Sequence, residues 1–238
     1  MTTSPTVVLV HGAFAESSSW NGVLQRLLAR DVRAFATPNQ LRSVSTDAAN
    51  VRSVVDSIDG PVLLVGHSYG GAVITEAAAG ADSVVGLVYV AAFAPDHGET
   101  AFGLTDKFPG STLGETVQAI ALADGSQDLI VDRERFPLQF AADVPLADAA
   151  LAAATQRPIR DAALGEAQPA ENSAWKVKPS WFVFGSGDKN IPVETLRWMA
   201  ERANPQKVVE IEGASHSVMV SQPDAVADLI LEALAHLA

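Results

Sequence analysis

The chain has 238 residues, of which 48% are hydrophobic and 18% charged, and its formal net charge is −12. This composition is typical of a single folded α/β domain and argues against disorder, and the acidic balance argues against a nucleic-acid partner. Because the chain contains no cysteine, disulfides, thiolate catalysis and Cys-ligated metal sites are excluded. We also expect that the protein uses neither a metal nor a cofactor.

Short apolar runs bounded by Gly or Pro alternate with segments of helical periodicity. The runs, which predict buried parallel strands, are residues 7–10, 32–36, 62–65, 84–92, 181–184 and 208–211. The periodic segments are residues 19–30, 45–58, 71–79, 193–203 and 225–237. Strand–helix alternation predicts a mainly parallel six-stranded sheet with helices on both faces.

Residues 95–179 interrupt this alternation. They contain no convincing strand pattern, but helical patches at 113–123 and 144–154. We therefore predict a helical cap, residues 97–178, inserted after the fourth strand between two parts of the core, residues 1–96 and 179–238. A cap in this position would lie over the carboxyl edge of the sheet, where α/β proteins place their sites. Its aromatic residues Phe102 and Phe136 are predicted to contact substrate.

The segment Gly66-His67-Ser68-Tyr69-Gly70 matches the pattern G-x-S-x-G. An apolar strand precedes it and an apolar helix follows it, which is the strand–turn–helix setting that a nucleophile elbow requires. Glycine at both ends relieves the crowding of a sharp turn. The sequence thus predicts Ser68 as a nucleophile, with the N–H of Tyr69 as one donor of an oxyanion hole.

A second turn, His11-Gly12-Ala13-Phe14, follows the first strand directly. Its glycine lets the backbone approach the site closely, so the N–H of Ala13 is predicted as the second oxyanion donor. Gly12 and Phe14 are predicted to contact substrate.

His216 is the candidate general base, because it lies in a loop after the last strand and follows the nucleophile late in the chain. Asp188, in a Gly-rich loop after the fifth strand, is the candidate acid that would orient this imidazole. Asp96, after the fourth strand, is its rival.

These motifs resemble the α/β-hydrolase superfamily, and within it the branch of plant methylesterases, salicylate-binding proteins and hydroxynitrile lyases. The similar segments are residues 8–13, 65–71, 91–96, 188–192, 197–198 and 210–216. The resemblance covers most of the chain outside the cap and implies a triad of Ser68, Asp188 and His216. Lyase members of this branch have Thr after the first-strand His and Lys after the catalytic His. This chain has Gly12 and Ser217 there, so the resemblance favours hydrolysis.

The leading functional prediction is a serine esterase that forms an acyl-enzyme with a small to medium, mostly apolar ester or lactone. The alternatives are a hydroxynitrile lyase-like or perhydrolase-like activity, and a small-ligand receptor that hydrolyses slowly. The N-terminal segment 1–5 has no basic residue, and the longest apolar stretch is well short of the about 20 residues of a membrane span. We therefore expect a cytoplasmic protein with no membrane partner. The sequence leaves the oligomeric state open, with a homodimer as one alternative.

Overall fold

The computed structural model describes residues 4–238. Residues 1–3 belong to the N-terminal segment on which the expectation of a cytoplasmic location rests, and they lie outside the described residues. Six strands form the main sheet, with the bounds β1 Thr6–Val10, β2 Ala34–Thr37, β3 Val62–His67, β4 Val84–Val90, β8 Ser180–Gly185 and β9 Lys207–Ile211. Their order across the sheet is β2-β1-β3-β4-β8-β9, and all neighbouring strands are parallel. The predicted six-stranded parallel sheet is confirmed.

Ten helices accompany the strands within the described residues. Their bounds are α1 Asn21–Leu28, α2 Val44–Asp56, α3 Tyr69–Ala77, α4 Ala101–Thr105, α5 Phe136–Phe140, α6 Leu146–Thr155, α7 Asp161–Gly165, α8 Val193–Ala203, α9 Val218–Ser221 and α10 Pro223–His236. Helix α1 packs with α10, and α2 packs with α3. Every residue of β1 and β3 is buried, as expected for strands covered on both faces, and the edge strands β2 and β9 are partly exposed.

The strand order reverses at β1. The chain runs from β1 outward to β2 and then returns to β3 on the other side of β1. The loops that leave the carboxyl ends of β1 and β3 therefore diverge to opposite faces and open a crevice, which is where open α/β sheets bind ligands. The turn at Gly12 and the turn at Ser68 flank this crevice.

The insertion between β4 and β8 is not purely helical, which corrects the expectation for this region. Beside helices α4 to α7 it contains a three-stranded antiparallel sheet of β5 Val117–Ala121, β6 Gln127–Val131 and β7 Ile159–Arg160. Residues 113–123, expected to be helical, form a 3-10 turn and β5, and residues 144–154 largely coincide with α6. Strand β5 was missed because four of its five residues are exposed, which obscures its alternation. The signal for a hairpin was Asp124-Gly125, where Gly125 has a φ of 83°.

Polar contacts join the cap to the core. Arg42, in the loop before α2, donates from Nη1 to Asp128 Oδ1 of β6 over 2.7 Å and from Nη2 to the carbonyl of Pro158. The N–H of Arg160 donates to the carbonyl of Leu41 over 2.9 Å. The cap sheet is thus attached to the core beside the second strand. None of the helices within residues 4–238 has the length and apolar character needed to cross a membrane.

Candidate active site

Ser68 occupies the turn between β3 and α3 with backbone angles φ 52° and ψ −124°. Positive φ is strained for a residue with a Cβ, and such strain persists only where the surroundings enforce it. Here the turn is tightly enclosed: a Cβ on Gly66 would lie 2.6 Å from the carbonyl oxygen of Gly70, and a Cβ on Gly70 would lie 2.6 Å from that of Val10. The glycines that the sequence pattern singled out are therefore required by close backbone packing.

The side chain of Tyr69 is directed away from the crevice into the core. Its hydroxyl donates to Asp47 Oδ2 of α2 over 3.0 Å, and both residues are buried. Burial raises the pKa of Asp47, and burial together with the Asp47 carboxylate raises the pKa of Tyr69. The bond ties α3 to α2 behind the turn. As the first residue of α3, Tyr69 has a backbone N–H without an acceptor inside the helix.

The turn after β1 lies against the Ser68 turn. A Cβ on Gly12 would be 2.6 Å from Ser68 Cβ and 3.2 Å from the N of Tyr69, so only glycine allows this approach. The ring of His11 holds the turn: its Nε2 accepts from the N–H of Asn39 over 2.9 Å, and its Nδ1 lies 2.9 Å from the Gly12 carbonyl. Burial lowers the pKa of His11 to about 4, so the neutral ring that these bonds require is maintained.

His216 and Asp188 form a buried pair. His216 Nδ1 donates to Asp188 Oδ2 over 2.6 Å, and both side chains are at most 1% exposed. The other carboxylate oxygen, Oδ1, accepts from the N–H groups of Asn190 and Ile191 at 2.8 and 3.0 Å. Three donors thus fix the carboxylate, and the carboxylate fixes the imidazole with Nε2 as its remaining nitrogen.

Two further rings position His216. His67 packs at 4.7 Å between centroids, and its Nε2 lies 3.1 Å from the carbonyl of His216, to which it donates. Burial lowers the pKa of His67 well below its usual range. On another side Phe140 of α5 meets His216 edge-to-face at 4.8 Å. Ser217 Oγ donates to the carbonyl of Phe140 over 2.9 Å, which attaches this cap helix to the His216 loop.

A cavity of about 500 Å³ between the core and the cap brings most of the predicted residues together. Six of them line it: Ala13, Phe14, Ser68, Tyr69, Phe102 and His216. Phe14 adopts a φ of 59°, a second strained residue at the cavity wall. Asp188 lies behind His216, and Gly12 lies beside Ser68.

Two of the residues considered from sequence lie elsewhere. Phe136 does not line this cavity but stacks on Phe140 at 4.8 Å, so its expected contact with substrate is replaced by support of Phe140. Asp96, the rival acid, binds Lys176 Nζ at 2.6 Å and Ser173 Oγ at 3.0 Å. Its carboxylate is committed to the base of the cap.

Several residues that line the cavity carried no clear sequence signal. They are Phe93 after β4, Val117 and Leu129 of the cap sheet, Phe140 of α5, and Asn190 and Ile191 beside Asp188. Asn190 and Ile191 follow the candidate acid closely and could have been proposed from that position. Val117 and Leu129 could not, because the strands that carry them have no clear pattern in the sequence. Phe140 lies on α5, and its aromatic character alone does not show which way the ring faces. Within the described part of the chain, no cluster of three or more His, Asp or Glu side chains could hold a metal ion.

Comparison with known proteins agrees with this architecture. The profile of the alpha/beta hydrolase family matches residues 7–229. The chain belongs to the alpha/beta hydrolase family. Alpha-hydroxynitrile lyase of Arabidopsis thaliana is 26% identical and covers 93% of both chains, and Esterase PIR7B of Oryza sativa subsp. japonica is 28% identical over 94% of both. The solved structure of polyneuridine aldehyde esterase superposes with a TM-score of 0.82 at 22% identity, covering 97% of this chain and 99% of that one.

The resemblance to one branch of the family is also confirmed. Salicylic acid-binding protein 2 of Nicotiana tabacum is 26% identical over 96% of both chains. Together with the lyase and the rice esterase it represents the relatives that the motifs indicated. These similarities support a hydrolase enzyme.

Proposed function

We propose that this alpha/beta hydrolase is a serine carboxylic-ester hydrolase that acts through Ser68, His216 and Asp188 on a small to medium, mostly apolar ester or lactone. The observation that supports it best is the buried 2.6 Å bond between His216 and Asp188 at the cavity that Ser68 lines. Relatives named esterases add support.

In the first half of the reaction, His216 Nε2 takes the proton of Ser68 Oγ as the oxygen attacks the ester carbonyl. The N–H groups of Ala13 and Tyr69 stabilise the negative oxygen of the tetrahedral intermediate, and the positive end of α3 adds to this field. The imidazolium, stabilised by Asp188, then donates its proton to the departing alcohol. An acyl-enzyme on Ser68 remains.

In the second half, His216 deprotonates a water that attacks the acyl carbonyl. The same two N–H groups stabilise the second intermediate, and Ser68 leaves with the proton returned by His216. The carboxylic acid is the second product. The apolar walls supplied by Phe14, Phe93 and Leu129 suit an apolar acyl or alcohol group.

The experiment that tests this proposal is covalent labelling with a fluorophosphonate. We expect one adduct per chain by intact mass, located on Ser68 by peptide mapping, together with loss of ester hydrolysis. Ser68→Ala should remove both labelling and hydrolysis, whereas Ser57→Ala, an exposed serine after α2, should change neither. Full esterase activity in Ser68→Ala would overturn the proposal.

The rival activity is cyanohydrin cleavage, because one relative is named an alpha-hydroxynitrile lyase. The two positions that distinguish the lyases argue against it. Gly12 has no room for a Cβ beside Ser68, and position 217 carries a serine, whose hydroxyl donates to the carbonyl of Phe140, in place of a lysine. Assaying cyanohydrin cleavage beside ester hydrolysis on the same preparation separates the two. Cleavage exceeding hydrolysis would favour the lyase.

A further inference from the structure

The cavity that Ser68 lines, which we call the Ser68 cavity, adjoins a second one, which we call the rear groove. The rear groove has a volume of about 360 Å³ and lies between residues 14–22, helices α5 and α6 of the cap, and α9. Its inner wall includes the apolar residues Phe136 and Met219, which are both 1% exposed. Leu151, which is 63% exposed, and Asp148 lie at its rim, so the groove opens to solvent.

One layer of side chains separates the two spaces. Within residues 4–238, Phe14 and Phe140 are the two residues that line both the Ser68 cavity and the rear groove. Their rings meet edge-to-face with centroids 6.3 Å apart, and each residue is 2% exposed. Next to them His216 lines the cavity, whereas Ser217, one residue further along the chain, lines the groove. The partition, which we call the Phe14–Phe140 layer, is therefore only one side chain thick.

The Ser68 cavity has its own opening to solvent beside α4 and the cap sheet. Phe102 and Ala119 line it there, and both are exposed. The Phe14–Phe140 layer, in contrast, lies next to the bond that is cleaved, because Phe140 meets the ring of His216 at 4.8 Å. A substituent of the ester that extends towards the cap sheet has room to continue into solvent. A substituent that extends towards Phe14 meets the two rings.

We propose that the Phe14–Phe140 layer determines substrate selectivity by limiting the length of the group on one side of the ester that is cleaved. This inference rests on the proposed function and specifies its substrates as esters with one short substituent, next to the layer, and one that is free to be long, next to the cap sheet. Phe136 stacks on Phe140 at 4.8 Å from the side of the groove, so this ring is packed in place and leaves no room for further methylenes.

Two series of substrates test this limit. Methyl esters of straight-chain acids lengthen the acyl side, and acetate esters of straight-chain alcohols lengthen the alcohol side, each up to about ten carbons. In the wild type, kcat/KM should fall sharply beyond a few carbons in one series, the restricted series, and persist in the other. The side that is restricted identifies the substituent that faces the layer. A wild type without a cut-off in either series would overturn the inference.

Phe14→Gly is the variant that opens the layer. Phe14 has a φ of 59°, a conformation that glycine adopts without strain, so the ring is removed without distorting the turn. Each methylene that then enters the apolar groove should raise kcat/KM by about fourfold. For esters of the restricted series two or more methylenes past the cut-off, the ratio of kcat/KM to that of the shortest ester should therefore rise by about tenfold or more. General damage to the site cancels in this ratio.

Two further variants keep the test specific. Phe14→Leu retains part of the packing and should move the cut-off in the same direction by fewer carbons. Leu151→Ala is the matched control, because it widens the rear groove without opening the layer, and the cut-off should stay where it is in the wild type. An unchanged cut-off in both Phe14 variants would contradict the inference.

A covalent adduct shows directly where the chain lies. A fluorophosphonate with a long alkyl chain on the restricted side should react slowly with the wild type and faster with Phe14→Gly. In the crystal structure of the adduct of the variant, the chain should pass from Ser68 into the rear groove and contact Met219. Its absence from the groove would also contradict the inference. If the wild type hydrolyses neither series, the proposed function itself fails, whereas hydrolysis of both series without a cut-off contradicts only the role of the layer.

Discussion

The core and the cap contribute to the cavity in different ways. Ser68 is held by a strained turn, Asp188 by two backbone N–H groups and His216 by Asp188. The cap contributes mainly apolar surface, such as Val117 and Leu129 of its small sheet and Phe102, which is 46% exposed. Hydrogen bonds within the core thus orient the side chains that we propose to react, and hydrophobic contacts of the cap enclose them. Core substitutions should therefore change the reaction rate, and cap substitutions should change stability and substrate selection.

The largest effect on kcat is expected at Asp188, the core residue that orients the imidazole of His216. In Asp188→Asn, the amide replaces the carboxylate that accepts from His216 Nδ1, and it favours the unproductive tautomer of the imidazole. We expect kcat to fall by about 10⁴-fold while the fold stays intact. Steady-state kinetics with p-nitrophenyl acetate measures it. Asp96→Asn is the matched control, because its ion pair with Lys176 lies at the base of the cap, and kcat should stay within about threefold. Equal losses in the two variants would refute the assignment of the acid.

Phe140 is the exception that joins the two regions, because this cap residue contacts His67, His216 and Phe14. It is 2% exposed, so Phe140→Ala should lower the free energy of unfolding by about 3–5 kcal/mol, measured in urea. Leu138→Ala, in the same helix but 71% exposed, should cost less than about 0.5 kcal/mol. We also expect kcat to fall in the Phe140 variant alone. A stability loss without a rate change would show that its contact with His216 has no influence on the reaction.

Acid should weaken the core through its buried histidines. The pKa of His11 is lowered to about 4 from about 6.5 in an unfolded chain, so the unfolded state binds more protons between these values. The His11 contribution is fully present above pH 6.5 and is lost as the pH falls towards 4, by about 3 kcal/mol at most. His67, whose pKa burial also lowers, acts in the same direction.

Urea unfolding at several pH values between 7 and 4.5 measures this dependence. His11→Gln keeps an acceptor for the N–H of Asn39 but does not titrate, so its stability should depend less steeply on pH than that of the wild type. Parallel pH profiles for the two proteins would contradict the assignment of His11 as a buried neutral ring.

The smallest effect is expected at the attachment of the cap sheet. Asp128→Asn weakens the contact with Arg42, whose side chain is 35% exposed, so solvent screening limits the loss to about 1 kcal/mol. Limited proteolysis should cut the hairpin of β5 and β6 somewhat faster in this variant. Asp124→Asn, which loses an exposed contact with Arg160, is the control and should show no measurable change. A large rate effect at Asp128 would mean that the cap influences the chemistry more than its apolar contacts indicate.

The difference between the core and the cap also explains which features the sequence could predict. The central strands β1 and β3 can be recognised because they are buried on both faces and form continuous apolar runs. The turns at Gly12 and Ser68 can be recognised because close packing demands glycine there. The cap sheet was missed because β5 is largely exposed and its apolar residues fit a helix equally well. The aromatic character of Phe136 predicts burial, but it does not indicate which side of α5 the ring occupies. The sequence therefore could not separate contact with substrate from packing on Phe140.

The sequence by itself determined the family architecture and predicted Ser68 and His216 as the nucleophile and the base, since G-x-S-x-G, the late position of His216 and the strand alternation are visible in the sequence alone. Only the tertiary structure decided between Asp188 and Asp96 as the partner of His216, and only it revealed the antiparallel sheet of the cap. Both depend on distances between residues far apart in the chain. Such distances follow from how strands, loops and cap pack together, which no short stretch of sequence specifies.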